Sequence, residues 1–503
     1  MVTPRPVSWL LRCGIYLAAT AAVALATIVL VYAVQAQVRF GELHAWHRVV
    51  LREEAGAAHP EALESFEAYR VQEDRLFAEL RQRIYGDPVS ADTLPVGRYT
   101  PGSAVAELAL DTPYNRSFEL APPGAPRGSV LLVHGLSDSP YSVRAVAELF
   151  QQRGYYVVAL RLPGHGTLPS GLREVRWQDW YAAVVAAAKY AAARGGPGKP
   201  LYLGGHSTGA ALATLYAVRS IDDDALPKPR GLYLISPAIG ISPFAVLTNV
   251  ISRLSFLPWF DKSRWIDVLP EYDPYKYNSF PVNAGNQIHK LTGVLDGALE
   301  EAGRRGRLGR MPRVVVFQSI VDSTITAREV VHGLLARLPR ADHELVVFDV
   351  NRFEAVQGLI APGPLEDLQA IRNAMNQPFG LTLISNRNAA TRAIASYTRP
   401  AGESAVVTAD LPLEWPSGVF SVGHVSLPFP PDDPVYGIAP LPGAQPGFNL
   451  GGLAVRGESG ALVLSLGAFS RLRSNPFFDV VRVKIGETLL RDEAQSGSAV
   501  TQQ

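Results

Sequence analysis

The sequence has a single cysteine, Cys13, in 503 residues. Disulfides within the chain and cysteine-built metal sites are therefore excluded. It also lacks a charge bias. Lys and Arg number 47 against 46 Asp and Glu, a formal net charge of +1, so no polyanionic partner is implied. With neither a basic stripe nor zinc-type cysteine spacing, nothing points to nucleic acid. No internal repeat is apparent. What the chain does have is apolar residues, 47% of the total, which fits a globular protein plus one membrane segment.

That segment is the run from Cys13 to Val38, which carries no charge over 26 residues. As a helix it is about 39 Å long, more than the ~30 Å hydrocarbon core of a bilayer, so it spans with some tilt. Arg5 and Arg12 precede it. The run exceeds a signal-peptide core, which predicts an uncleaved anchor rather than a leader cut after Ala36. The short flank before it predicts a cytoplasmic amino terminus, with the body outside the inner membrane. The chain then divides into an anchor (1–39), a helical linker (40–100), a body (101–490) and a disordered tail (491–503).

In the linker, Leu63, Phe66, Tyr69, Leu76 and Leu80 recur at helical spacing. Val105–Leu110 and Arg116–Leu120 read as strands. From Ser129 the pattern becomes strand, helix, strand, helix. Strands are expected at Ser129–Val133, Tyr155–Leu160, Leu201–Leu203, Gly231–Ser236, Arg313–Gln318 and Glu344–Asp349. Helices are expected at Ser142–Gln152, Trp177–Ala193, Ala210–Val218 and Ala327–Leu338. Such alternation predicts a mostly parallel sheet with helices on both faces and a site at the carboxyl ends of its strands. Two insertions interrupt it. Residues 238–311 are rich in aromatics (Phe244, Phe256, Trp259, Phe260, Trp265, Tyr272, Tyr275, Tyr277, Phe280) and are expected to form a lid. Most of these rings are expected to make its own small core, and a subset to line an apolar channel. Residues 351–421 form the second insertion, with extended runs at Leu381–Ser385 and Ala405–Ala409. A hairpin near Gly457–Gly460 and a helix near Asn475–Ile485 follow.

Gly205-His-Ser-Thr-Gly209 fits G-x-S-x-G between a strand and a helix. In that setting a tight turn lifts the central hydroxyl above the sheet edge, and the helix amino terminus offers N–H groups to a developing negative charge. Ser207 is thus the candidate nucleophile. A serine needs a base, an acid to orient it, and donors for the oxyanion. The backbone N–H groups of Leu136, after the strand ending in Val133-His-Gly135, and of Thr208 are the candidate donors. His134 and His165 read as loop-stabilising residues. Asp322, in the loop after the Arg313–Gln318 strand, is the first candidate acid. Asp349, at the end of the next strand, is the second.

Val133-His-Gly135, Pro163-Gly-His-Gly166, Gly205-His-Ser-Thr-Gly209 and Val321-Asp-Ser323 occur in the order that resembles the α/β-hydrolase superfamily. Within it the chain resembles the monoacylglycerol lipase, lysophospholipase and carboxylesterase branch. The resemblance covers roughly half the chain and nothing before about Thr100. It implies an α/β-hydrolase fold with a lid insertion, here behind an amino-terminal transmembrane helix. It also implies ester hydrolysis by a triad, with no metal and no cofactor, and places the roles on Ser207, Asp322 and His424. In this fold the histidine follows the acid, and only His332, His343 and His424 follow Asp322. His332 falls inside a helix and His343 at the amino end of a strand, which leaves His424, beside Gly423. The departure from the family is the 102-residue separation of Asp322 and His424, which requires 351–421 to leave and return to the end of the last strand. The expected function is a membrane-anchored hydrolase of lipid or acyl esters. The alternatives are a catalytically silent scaffold that binds an envelope partner and a serine peptidase of the same superfamily.

Overall fold

The computed structural model describes residues 6–39, 41–86, 94–240, 258–353, 361–373, 377–440, 448–452, 467 and 470–500. Helix α1 spans Pro6–Arg39. Its described side chains run unbroken only from 11 to 24, and all but Cys13 are exposed. Among the described residues no helix is long and apolar enough to cross a membrane.

The linker folds as α2 (Ala45–Arg48) and α3 (Phe66–Leu80), the latter capped by Ser65 Oγ accepting the Ala68 N–H. Its apolar stripe does not stand alone. Leu76, Phe77, Leu80 and Ile84 close a cluster with Trp46, Tyr99 and Leu168, while Phe66 and Tyr69 enter the main core. The expected strand at Val105–Leu110 is instead α4 (Ala104–Asp111). Ser103 Oγ accepts the Ala106 N–H at 3.0 Å and starts the helix. The apolar residues that suggested alternation, with Ala106 and Ala109 between them, lie on one helical face: Val105, Ala106, Leu108 and Ala109 are buried.

One sheet of ten strands carries the body: β1 (Phe118–Leu120), β2 (Ser129–Val133), β3 (Tyr156–Leu160), β4 (Leu201–His206), β5 (Gly231–Ile235), β8 (Arg313–Ser319), β9 (Glu344–Phe348), β10 (Gly380–Asn386), β11 (Ala393–Arg399) and β12 (Val407–Glu414). Their spatial order is β1-β3-β2-β4-β5-β8-β9-β10-β11-β12. Strands β3, β2, β4, β5, β8, β9 and β10 run parallel, and β1, β11 and β12 pair antiparallel to their neighbours. The short pair β6 (Trp265–Asp267) and β7 (Phe280–Pro281) lies in the first insertion. Strands β2, β4, β5 and β8 are buried along their whole length, which is why each is built on an apolar run of three or four residues.

Helices α6 (Trp177–Gly195), α7 (Thr208–Ser220), α8 (Val282–Arg304), α9 (Ala327–Gly333) and α10 (Pro362–Asn373) pack on one face. Helices α5 (Arg144–Gln152) and α11 (Phe478–Val500) pack on the other. Helix α11 is clamped to the sheet by Arg313, whose guanidinium grips Asp492 at 2.7 and 2.8 Å. Residues 491–500, expected in a disordered tail, continue this helix. The expected hairpin at 457–460 lies outside the described residues.

The second insertion widens the main sheet instead of forming a separate excursion. Strand β10 adds in parallel to β9, and β11 and β12 turn back as an antiparallel ribbon. The chain then returns to the end of β9. Val350 bridges Ser421, and Asn351 N–H donates to the Phe420 carbonyl at 2.8 Å.

Candidate active site

The turn after β4 is shaped by its glycines. A Cβ on Gly205 would stand 2.5 Å from the Gly209 carbonyl carbon, and one on Gly209 would stand 2.1 Å from the Val133 carbonyl oxygen. Only glycine lets the turn press this close to β2. Between them Ser207 sits at φ 52°, ψ −112°, a strained conformation for a residue with a side chain. It precedes α7 directly, so the helix amino terminus lies at its hydroxyl.

Asp322 leaves β8 in a turn that accepts the Thr324 and Ile325 N–H groups on Oδ1, at 2.9 and 3.0 Å. Its Oδ2 accepts from His424 Nδ1 at 2.8 Å and from Gln318 Nε2 at 3.1 Å. Burial raises its pKa, but the hydrogen bond and charge of His424 and the two N–H donors outweigh burial and hold the carboxyl below its ordinary value. Four contacts seat the histidine's loop. Ser319 Oγ donates to the Val422 carbonyl. Ser426 closes a turn on Gly423. Asn351 holds the incoming strand at Val419 and Phe420, and His206 Nε2 lies 3.2 Å from the His424 carbonyl oxygen.

Ser207 and His424 line one cavity of about 400 Å³. Leu136 and Thr208 line it too, and among the described residues neither of their N–H groups has a backbone acceptor. Ser137, beside Leu136, holds φ 63°. From the first insertion, Ile266, Lys276, Phe280, Ile288 and His289 form the facing wall.

The other candidates lie elsewhere. His134 and His165 are buried in loop contacts: His134 Nε2 accepts the Leu162 N–H, and His165 Nδ1 lies 3.0 Å from the Pro163 carbonyl. Burial pushes the His134 pKa down to about 4 against the Gly135 carbonyl, which raises it. His343 is buried where it accepts the Val314 N–H, and His332 is exposed on α9. Asp349 pairs with Arg352 and Ser385, not with His424.

Residues 124–274 match the family described as "Serine aminopeptidase, S33". The order of strands, the turn at Ser207 and this match agree. The body of the chain has the α/β-hydrolase fold. The chain is 44% identical over 55 residues to a thermostable monoacylglycerol lipase of Bacillus sp. (strain H-257); that stretch is 11% of this chain and 22% of the relative. Two solved structures are also similar. One belongs to work on two metagenome-derived lipolytic enzymes, LipS and LipT (23% identity, 52% of this chain, 99% of that one, TM-score 0.36). The other is a Paleococcus ferrophilus monoacylglycerol lipase (21% identity, 46% and 88%, TM-score 0.35).

Sequence reasoning missed a second polar group under the hydrolase's site. Buried Asp138 accepts from Lys276 Nζ at 2.9 Å and lies 3.2 Å from His206 Nδ1. Burial raises the Asp138 pKa, and Lys276 and His206 together drive it below its ordinary value. Burial lowers that of His206, against the hydrogen bond to Asp138. The signal was present: His206 is the first variable position of G-x-S-x-G, and Asp138 follows Gly135 by three residues. The aromatic residues of the insertion also differ from expectation. Among the described residues, the rings of Trp265, Tyr275 and Tyr277 seat on the body. Tyr275 stacks on Tyr141 at 3.9 Å, Tyr277 Oη accepts the Thr167 N–H, and Trp265 meets His47 edge-on. Of the five whose side chains are described, Trp265, Tyr272, Tyr275, Tyr277 and Phe280, only Phe280 lines the cavity. Phe244 and Phe256 lie outside the described residues.

Proposed function

We propose that the chain is a membrane-anchored serine hydrolase of carboxylic esters with apolar acyl groups. Ser207 attacks the carbonyl, and His424, oriented by Asp322, takes its proton and returns it to the leaving alcohol. The N–H groups of Leu136 and Thr208 hold the oxyanion, and water activated by His424 clears the acyl-enzyme. The observation that carries this reading is the Asp322–His424 hydrogen bond at 2.8 Å beside a cavity that Ser207 also lines. Ile266, Phe280 and Ile288 give that cavity its apolar wall, which favours a lipid-like acyl chain and a lid role for the first insertion. A fluorophosphonate probe tests it. Labelling of the full chain that disappears in Ser207→Ala is expected. Absence of labelling, or labelling that persists in the variant, leaves the silent scaffold.

The family description favours a second reading, a serine peptidase. Turnover of an amino-acyl p-nitroanilide above that of a p-nitrophenyl ester would select it.

For the anchor, α1 supplies 34 residues of helix, about 51 Å, with a charge-free sequence from Cys13 to Val38. Trp9, Ile15, Leu17 and Val23 are exposed along it. It also lies against the turn Pro258–Arg264 of the first insertion, which brings the lid to the anchor. We place the body outside the inner membrane. Retention of the chain in the alkaline-carbonate pellet, with Cys13 to Val38 present in the mature protein, is the expected result. A mature protein starting at Gln37 overturns the anchor.

A further inference from the structure

The unit β9–α10–β10 ends in a second cavity that the ester chemistry does not use. Its volume is about 380 Å³. It lies outside the carboxyl ends of two adjacent parallel strands, the position where open α/β sheets bind ligands. The wall is apolar: Leu365 and Leu368 from α10, Leu383 from β10 and Tyr397 from β11. Three arginines, Arg352, Arg372 and Arg387, surround it.

Among the described residues the only carboxylate in the lining is Asp349, and it is neutralised in place. Its oxygens accept from Arg352 Nε and Nη2 at 3.0 and 2.9 Å, from Ser385 Oγ at 2.6 Å and from the Val350 N–H at 2.8 Å. Asn386 Oδ1 accepts the Arg352 N–H at 2.7 Å, which fixes the backbone that carries this arginine. Arg372 and Arg387 remain. The Arg372 guanidinium has no partner among the described residues. Arg387 pairs with Asp410 at a half-exposed rim, where such a pair contributes little and is readily exchanged for an anion. The cavity thus joins an apolar wall to two available guanidinium groups, with buried Asp349 and Ser385 and half-buried Arg352 as its floor.

We infer that this cavity is a binding site for an amphiphilic organic anion, with the carboxylate or phosphate on Arg372 and Arg387 and the apolar body against Leu365, Leu368 and Tyr397. The site is separate from the Ser207 cavity, with which it shares no lining residue. It stands whether or not Ser207 is catalytic.

Titration calorimetry on the full chain tests it with decanoate, decyl phosphate, inorganic phosphate and 1-decanol. The variants are Arg372→Ala/Arg387→Ala, which removes exposed charge, and Leu365→Trp, which fills the cavity. Thermal melting verifies that each variant is folded. Decanoate or decyl phosphate is expected to bind the parent chain and to weaken about tenfold or more in the double variant, as charge-assisted hydrogen bonds are lost. The tighter of the two names the head group. Leu365→Trp is expected to abolish binding. Four results overturn the inference: no binding of either amphiphile, equal affinity in the double variant, 1-decanol as tight as the anions, or inorganic phosphate as tight as decyl phosphate. Should Leu365→Trp fail to fold, the double variant alone decides.

Discussion

Asp322 and His424 are each held from two sides, and kinetics tests the roles proposed for them. Asp322→Asn keeps the shape of the turn but replaces an acceptor with an amide that favours the wrong imidazole tautomer. Ester turnover is expected to fall roughly 10⁴-fold in kcat, with KM and melting temperature little changed. A fall confined to KM would place Asp322 outside the chemistry. Gly209 tests the turn itself. Gly209→Ala puts a Cβ 2.1 Å from the Val133 carbonyl oxygen, with backbone around it. No flexible side chain is there to yield, so the β4–α7 turn must move away from β2. Loss of fluorophosphonate labelling is expected, with destabilisation of about 1–3 kcal/mol by denaturant titration. Normal labelling in that variant would show that the turn has slack which the contact distances deny.

At the scale of elements, the feature that matters is the return of the chain after β12. The ribbon β10–β11–β12 carries the chain away from β9, and the Val350–Ser421 bridge brings it back, so that His424 descends onto Asp322. Ser319, the last residue of β8, ties the loop down through the Val422 carbonyl. Ser319→Ala leaves that buried carbonyl without its donor. The expected cost is about 1–3 kcal/mol, the penalty of an unsatisfied buried acceptor, with a fall in kcat larger than any change in KM. Unchanged kcat would show that the other contacts to the loop suffice. The extension strands were partly legible. Leu381–Ser385 falls inside β10, but β11 was not expected, because Ala393–Arg399 mixes small, polar and apolar residues and is only half covered.

For the whole molecule, the amino-terminal arm, residues 40–100, is a structural part of the body. Arg161, in the loop after β3, is fully buried. Its Nε donates to Glu73 Oε1 at 2.8 Å and its Nη2 to Glu54 Oε1 at 2.9 Å, both carboxylates coming from the arm. Glu73→Gln leaves that guanidinium with Glu54 as its one remaining carboxylate among the described residues. The expected loss is about 3 kcal/mol, the lower end of the range for breaking a buried pair. A loss below ~1 kcal/mol in urea titration would mean that the arm is only loosely attached. Glu271 governs a pH response. It is buried and accepts the Asn278 and Ser279 N–H groups. Burial pushes its pKa up from 4.5 to about 7 against those donors. A carboxyl raised on folding contributes stability that is full below its unfolded pKa and is lost as pH rises through the folded value, here between 4.5 and about 7. Glu271→Gln stays neutral throughout. Its melting temperature relative to the parent is therefore expected to be higher at about pH 8 than at about pH 5. An equal difference at both pH values would show that the carboxyl does not titrate in this window.

Local order was determined by the sequence alone. The buried parallel strands carry apolar runs of four or five residues, and glycines mark the strand-to-helix turn, because close packing leaves no room for other residues. These signals are local in the chain, so they survive without knowledge of the fold. Only the tertiary structure decided which distant residues meet. Asp322 and His424 stand 102 residues apart, and nothing in the spacing of 351–421 states that it rejoins the end of β9. The Val105–Leu110 segment turned on a cap, since one serine hydroxyl outweighs a short alternation. Asp138, His206 and Lys276 come from three separate loops and elements, as do the arginines around the second cavity. Burial is what gives such groups their charge state and their partners, and burial is a property of the assembled fold.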